Sequence, residues 1–239
     1  MSADTQQPRV APTTKTPQVI IYGHSWLFYW WPVWMLGYIM ALLTWLHPVG
    51  VQIGNFSVLV SSSTILGVTY ALVILLTILI TNTKMRGAAS LVVVLVIGFL
   101  VLLLAYLDWW PDILAWFGNR TVFMDLGFYL FFSTGLLLLW LLTVFVFDRL
   151  SFWRVRPGQL THEHILGAVE NSYDTDNMVF TKQQNDLFRH WILGLGSGDL
   201  EMQTMGGRGI VAKVSNVLLL NWKVSKIQSL IATKPDVPQ

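Results

Sequence analysis

The chain has 239 residues, of which 54% are hydrophobic and only 12% are charged, and its mean hydropathy is +0.57. Soluble domains usually carry about 25% charged residues, and one domain of this size has too little core volume to bury so much apolar surface. The composition therefore excludes an ordinary soluble protein and a disordered one, and indicates an integral membrane protein. The absence of cysteine excludes disulfides, zinc–thiolate sites, iron–sulfur clusters and thiol nucleophiles. A net charge of +2 gives no support for a nucleic-acid partner.

A polar segment rich in Pro and Thr opens the chain, and we predict a disordered tail over 1–25 without a signal peptide. Four apolar runs follow, each close to the roughly 20 residues that a helix needs to cross a hydrocarbon core. The runs contain no Asp, Glu, Lys or Arg. They predict a four-helix transmembrane domain over 26–147, with spans at about 27–46, 58–80, 88–107 and 126–147.

Basic residues fall on alternate connections between these runs. The tail, the second connection and the segment after the fourth span carry Arg9, Lys15, Lys84, Arg86, Arg149, Arg154 and Arg156, whereas the outer connections carry only Arg120. Because Lys and Arg are enriched on the cytoplasmic side, we predict a multi-pass protein of a bacterial cytoplasmic (inner) membrane with both termini in the cytoplasm. Arg149, Arg154 and Arg156 form a juxtamembrane cluster, for which we predict contact with anionic lipid.

Tryptophan is abundant, with 12 residues, and most of them lie where a predicted span meets the headgroup layer. An indole has an apolar body and an N–H donor, which suits that layer. We therefore predict interfacial anchors or contacts with a partner subunit at Trp30, Trp31, Trp34, Trp109, Trp110 and Trp116. A bound pigment between these rings is an alternative. Residues 111–118 are expected to form a short interfacial helix.

The composition changes at Asp148, because 148–239 holds 10 of the 15 basic and 9 of the 13 acidic residues. We predict a water-exposed β-rich domain over 148–233 and a polar tail over 234–239. Alternating or β-prone segments indicate strands at 153–155, 177–181, 199–204 and 210–214, the last two joined at Gly206, Gly207 and Gly209. Val224, Ile227 and Ile231 recur at helical spacing and predict a closing helix.

Residues 186–204 read Asp-Leu-Phe-Arg-His-Trp-Ile-Leu-Gly-Leu-Gly-Ser-Gly-Asp-Leu-Glu-Met-Gln-Thr. This resembles the bacterial pleckstrin-homology-like (PH-like) domains found beside transmembrane helices, in which Leu-Gly-x-Gly precedes a Gly-Asp-Leu strand. A glycine-containing hairpin and an Asn-Val turn follow in those domains, as they do here at 206–209 and 216–217. The resemblance covers roughly 181–231, whereas 156–180 departs from the pattern. It implies a partly open barrel capped by one helix, used for binding or oligomerisation and not for catalysis.

Two histidines on one predicted strand, His162 and His164, would face the same side and could hold a metal ion. A catalytic zinc site needs a third ligand, for which His190 is a candidate. The simpler interpretation is a solvated polar strand, so no metal and no other cofactor is predicted. His24 is expected at a span boundary, with ligation of a pigment or haem as the alternative.

Glycines at Gly194, Gly196 and Gly198 precede Asp199, without the Lys-Ser/Thr ending of a phosphate-binding loop. We predict that these four residues form a structural turn. Hydroxyl residues early in the second predicted span, at 61–64 and Thr69, could line a pore, but packing between helices explains them as well.

Together these features predict a non-catalytic membrane scaffold or accessory subunit of a larger membrane complex, whose PH-like domain binds a protein or a lipid surface. The expected partners are the lipid bilayer and a membrane protein or further copies of the chain. A metal-dependent membrane enzyme using His162 and His164, and a small oligomeric channel, are the alternatives.

Overall fold

The computed structural model describes residues 17–82, 88–118, 122–165, 171–175, 178–184, 186–204 and 210–232. Several sequence-based predictions lie outside these residues. They are those for 1–16, for the basic residues Lys84, Arg86 and Arg120, for the hairpin glycines at 206–209, and for the tail at 234–239.

Helices and strands divide the chain into an apolar helical part and a β-rich part. The helices are α1 (Trp31–Leu46), α2 (Ile65–Asn82), α3 (Ala88–Tyr106), α4 (Trp110–Gly118), α5 (Leu126–Phe145) and α6 (Leu220–Ala232). The strands are β1 (Val19–Tyr22), β2 (Pro48–Ile53), β3 (Phe56–Ser61), β4 (Ser151–Arg156), β5 (Gln159–His164), β6 (Asn171–Asp174), β7 (Met178–Gln183), β8 (Gly198–Thr204) and β9 (Ile210–Val217). Short 3-10 turns cover Trp26–Trp30 and Phe147–Arg149, and a π-helical segment covers Leu187–Leu193.

Within the described residues, three helical stretches are long and apolar enough to cross a membrane. They are Trp26–Leu46, Ile65–Asn82 and Leu126–Arg149, with mean hydropathies of 1.3, 2.2 and 2.4. A fourth is obtained only if Leu95–Tyr106 and Trp110–Phe117, which are bent by 102° at their junction, count as one span. The predicted short helix at 111–118 is confirmed as α4.

The predicted second span, 58–80, is wrong at its beginning. Residues 48–61 form the antiparallel hairpin β2–β3, in which Ile53 faces Phe56 across the turn. The helix begins only at Ile65, after the hydroxyl-rich segment 61–64. Ser61 ends a strand and its hydroxyl accepts a hydrogen bond from the Ser63 amide at 3.2 Å. Ser, which competes for backbone hydrogen bonds, favours such a break over the middle of a helix.

The predicted disordered tail over 1–25 is also wrong for its last residues. Strand β1 pairs antiparallel with β4, and Ile21 lies opposite Trp153. Val19 and Ile21 are buried among the side chains of the β-rich part. This part is therefore assembled from both sides of the helical region, because β1 precedes the first apolar helix in the chain while its partner follows the last one.

The β-rich part contains two antiparallel sheets, with strand orders β1–β4–β5–β6 and β7–β8–β9. The strands predicted at 153–155, 199–204 and 210–214 and the C-terminal helix are confirmed, and β7 covers the described part of 177–181. Helix α6 places Val224 and Ile227 in the core between the sheets. Where β1 meets β9, the His24 amide donates to the Ser215 carbonyl at 3.1 Å, which connects the two sheets.

The helical part is built around the contact between α1 and α5. Gly37 of α1 leaves no room for a side chain, because a Cβ there would lie 1.9 Å from the hydroxyl of Ser133. Small residues of this kind allow membrane helices to approach closely. Around this contact, Val33, Tyr70 and Tyr129 form a buried cluster.

Candidate functional site

Buried polar residues are concentrated where the β-rich part meets the ends of the apolar helices. This region, here called the junction, combines the 3-10 turn before α1, the π-helical segment, and the facing ends of β8 and β9. Its members come from positions far apart in the chain: His24, Tyr29, Asp148, Asp186, Arg189, His190, Ser197, Asp199 and Asn216.

Asn216 connects three parts of the junction. Its side-chain amide donates to the His24 carbonyl at 2.8 Å, and its side-chain oxygen accepts a hydrogen bond from the Tyr29 hydroxyl. Its backbone N–H donates to Asp199 at 3.1 Å. Asn216 has a φ of 57°, a left-handed conformation that Asn adopts more readily than most residues. Because Tyr29 and Asn216 are almost completely buried, these bonds are shielded from water and fix β9 against the beginning of the first apolar helix.

Asp199 is the centre of a group of charges, of which Asp186, Arg189 and Glu201 are buried as well while Lys213 is exposed. Nη2 of Arg189 lies 3.1 Å from its carboxylate, and Nζ of Lys213 lies at 3.8 Å. Lys213 also binds Glu201, and Arg189 lies 3.7 Å from Asp186. Each of these charges is thus within salt-bridge distance of an opposite charge. Removing Arg189 would leave Asp186 and Asp199 buried with fewer opposite charges, which is more costly than losing an exposed pair.

The electrostatics of Asp199 reflect these contacts. Burial alone would raise the pKa of its carboxyl group, but hydrogen bonds from His190 and the Asn216 amide and the charge of Arg189 outweigh it. Together they lower the pKa from its ordinary 3.8 to about 2. Nε2 of His190 lies 3.1 Å from Arg189 and 3.5 Å from Asp199, so it either accepts from the first or donates to the second.

A second connection joins the two boundaries of the helical region. Nδ1 of His24 lies 3.1 Å from Asp148, and the same carboxylate accepts hydrogen bonds from the Ser25 amide at 3.2 Å. Asp148 follows α5, whereas His24 precedes α1. The structure thus places the predicted boundary histidine in a carboxylate contact that holds the first and last apolar helices together.

The six tryptophans predicted as interfacial anchors or partner contacts differ in their surroundings within the chain. Nε1 of Trp31 donates to the Leu193 carbonyl at 2.8 Å, which connects α1 directly to the π-helical segment. Trp30 and Trp34 pack partly buried against the helix cluster around Tyr70. Nε1 of Trp110 donates to the Val101 carbonyl at 3.2 Å. The two remaining members of the predicted set, Trp109 and Trp116, are more than half exposed.

The predicted glycine turn forms one wall of the junction. A Cβ on Gly194 would lie 2.2 Å from the Ser197 hydroxyl and 2.6 Å from the Arg189 carbonyl oxygen. Gly196 has a φ of 82°, and a Cβ on Gly198 would lie 2.5 Å from Leu220. Gly194 and Gly198 therefore allow the backbone to pass close to its neighbours, and Gly196 allows the left-handed conformation.

His162 and His164 lie next to each other on β5, with ring centroids 4.5 Å apart. Nε2 of His162 contacts the Ser151 hydroxyl at 2.8 Å, and its ring stacks on Trp153 at 4.3 Å. Burial and the neighbouring His164 lower the pKa of His162. His190 lies in the junction instead. Within the described residues, no group of three or more His, Asp or Glu side chains is arranged to hold a metal ion.

The three arginines of the predicted juxtamembrane cluster differ in their contacts. Arg154 forms an ion pair with Glu163 at 2.8 Å and lies over the Phe152 ring. The Arg149 guanidinium lies 5.3 Å from the centre of the Phe145 ring, at the end of α5. Arg154 is therefore engaged within its own sheet, while contact of Arg149 and Arg156 with anionic lipid stays a prediction.

In comparisons with known proteins, no family model, no curated protein and no solved structure matches the chain.

Several members of the junction have no signal in the sequence. Tyr29 lies within an aromatic run that suits any membrane interface, and Asp148 reads as the beginning of the charged part. One usable signal is the spacing of Asp186 and Arg189, an opposite-charge pair three residues apart beside an apolar segment. The partners of Asn216 depend on the tertiary fold, because they are 17 to 192 positions away along the chain.

Proposed function

We propose that the protein is a non-catalytic integral membrane scaffold, or an accessory subunit of a larger membrane complex, whose β-rich domain binds a protein or a lipid surface. The observation that carries this proposal is the junction. Its buried polar groups bind one another and hold a β-rich domain against the ends of apolar helices. Such an arrangement suits a domain that must be presented at a fixed position on a membrane.

Placement in a bacterial cytoplasmic membrane, with both termini in the cytoplasm, is part of the proposal. The long apolar helices support it, as does the distribution of Lys and Arg along the sequence. In the apolar helical stretch Leu126–Arg149, only 17% of the most apolar 18-residue segment is buried within the described structure. This large exposed apolar surface requires lipid or other helices as its surroundings.

A PH-like assignment of the β-rich domain is also proposed. It is supported by the residue pattern at 186–204 and by the order of elements, a four-stranded sheet and a three-stranded sheet closed by α6. Strand β1 supplies the edge of the larger sheet. The resemblance implies binding or oligomerisation for this domain and not catalysis.

Helix α3 supports a partner within the membrane. Its large apolar side chains are exposed around the helix, including Leu95, Phe99 and Leu102 at more than 60% each. Within the described residues, α3 makes a small contact with the π-helical segment and is not packed extensively against α1, α2 or α5. An all-apolar helix outside the main bundle leaves surface for a partner helix or for a second copy of the chain.

The test is gentle extraction from the native membrane followed by mass spectrometry of the intact particle. We expect a stoichiometric second protein or a defined number of copies of the chain in the particle. The Tyr38→Phe variant should retain this association, whereas the Tyr29→Phe variant should weaken it. Both changes delete one tyrosine hydroxyl, but Tyr38 binds Thr134 between the helices, away from the junction. A monomer without a partner, a bound transition metal, or ion flux in liposomes would overturn the proposal.

A further inference from the structure

The side of the β-rich domain next to the helix ends carries five large apolar side chains that are more than half exposed. We call this surface the apolar edge, and its members are Trp191, Ile192, Leu195, Leu219 and Trp222. They come from two segments, the π-helical segment with its following turn and the beginning of α6. Large apolar side chains clustered on a small domain mark a surface that is covered in its working state.

The apolar edge lies at the level where the apolar helices end. Leu193, which follows the exposed Ile192, is buried with Phe28 of the first 3-10 turn and Val144 of α5. Leu218, which precedes Leu219, packs against the same cluster, as does Ile80 near the end of α2. Both segments are therefore anchored at the helix ends, and their remaining side chains project from that position.

The backbone conformation at Leu195 and Leu219 independently indicates that the side chains of these two leucines have a function. Leu195 and Leu219 have φ values of 50° and 52°, in the left-handed region that glycine occupies without strain. Their side chains are nevertheless 69% and 67% exposed, so packing against the described residues does little to offset the strain. Residues kept in such conformations point to a function that requires their side chains.

The residues around the edge suit a lipid headgroup layer. Nζ of Lys226 lies 4.9 Å from the centre of the Trp222 ring, and both side chains are exposed. Tryptophan and lysine side by side are favoured where acyl chains meet charged headgroups. Lys223 lies beside them on α6, and burial lowers the pKa of its amine.

We infer that the apolar edge inserts into the headgroup and upper acyl region of the same bilayer that the helices cross. This inference rests on the proposed membrane placement of α1, α2 and α5. Leu195 and Leu219 are the two inserted tips, and Trp191 and Trp222 lie beside them at the interface. The domain is then held at two levels, by the junction to the helices and by the edge to the lipid.

The absence of cysteine allows a direct test, because single-cysteine variants carry one spin label each. The test variants are Leu195→Cys and Leu219→Cys in vesicles of phosphatidylethanolamine and phosphatidylglycerol. Leu138→Cys, at an exposed position of α5, reports insertion of the helices. Val179→Cys is the matched control: it is an exposed aliphatic residue of the same domain, paired with Gln203 near the far end of β8.

Oxygen partitions into lipid and a nickel chelate stays in water, so the ratio of their effects on each label reports its surroundings. We expect the ratio of oxygen accessibility to nickel-chelate accessibility at 195 and 219 to be severalfold higher than at 179. It should approach the ratio at 138. If the label at 138 favours oxygen while those at 195 and 219 match the label at 179, the inference is wrong. Protection of 195 and 219 from both reagents would assign the edge to a protein partner and also overturn it. A water-exposed label at 138 would instead refute the membrane placement itself.

Discussion

Asn216 offers the sharpest test of how the β-rich domain is held, because its side chain binds both His24 and Tyr29 in the segment before α1. The Asn216→Gly change removes the bonds to His24 and Tyr29 while allowing the left-handed backbone. Asn216→Ala removes the same bonds and adds strain at a φ of 57°. The two changes therefore separate the hydrogen bonds from the backbone conformation.

The expected loss of unfolding free energy follows from the two polar groups that lose Asn216 as their partner. A buried polar group without its partner costs roughly 1–3 kcal/mol. Two such groups remain after Asn216→Gly, although the Tyr29 hydroxyl keeps a long contact of 3.5 Å with Ser197. We expect Asn216→Gly to lower the free energy of unfolding of the domain by roughly 2–5 kcal/mol, and Asn216→Ala by about 1 kcal/mol more.

Hydrogen exchange of the whole protein in nanodiscs measures this loss locally. A loss of about 3 kcal/mol raises the exchange rate of amides that open with the junction roughly 100-fold. We expect this increase at β1 and β9, with no change in the exposed hairpin β2–β3, which serves as the internal control.

A double-mutant cycle with Tyr29→Phe decides whether the two side chains act together. Residues in direct contact show coupling energies of about 0.5–3 kcal/mol. Additive effects of Tyr29→Phe and Asn216→Ala would refute the hydrogen bond between them, and unchanged exchange in both single variants would refute the junction as the element that holds the domain.

Three further predictions concern neighbouring residues. Because the pKa of Asp199 is lowered from 3.8 to about 2 in the folded protein, its carboxylate contributes about 2 kcal/mol that is complete above about pH 4 and lost as the pH falls towards 2. Asp199→Asn should flatten this acid dependence of unfolding and leave Arg189 with only its longer contact of 3.7 Å to Asp186, at a cost of roughly 1–3 kcal/mol. Gly194→Ala should lower the melting temperature by several degrees, since its Cβ meets a backbone oxygen at 2.6 Å, whereas Gly50→Ala has nothing within 4 Å and should be neutral. An equal effect of both alanines would contradict the close packing. Leu195→Gly should raise stability in detergent by about 1 kcal/mol by relieving the left-handed strain, and a large loss of stability there would mean that the leucine packs within the protein.

The predictions that succeeded depended on local periodicity. Alternating residues at 199–204 and the helical spacing of Val224 and Ile227 identify β8 and α6 without knowledge of their partners. Long apolar runs identify the helices for the same reason, since one segment contains the whole signal. The second run was misread because its first residues are as apolar as the helix that follows, and only the hydroxyl-rich break at 61–64 separates them.

Features that depend on distant partners were not predictable from one sequence. Strand β1 has only four residues, and its pairing with β4 joins positions on either side of the whole helical region. The junction has the same property, because the Tyr29 hydroxyl finds its acceptor 187 positions away. The charged residues around Asp199 are visible in the sequence, but the tertiary contacts that bury most of them are not.

The proposed function depends most on the rigid attachment of the β-rich domain to the helices, and a distance measurement between two spin labels tests that attachment most directly. One label replaces Val179 in the domain and the other replaces Leu138 in α5, in the cysteine-free background. We predict a single narrow distance distribution in nanodiscs, which broadens when Asn216→Ala is added. A broad distribution in the otherwise unchanged protein would contradict the account, because the junction would then not hold the domain in one position.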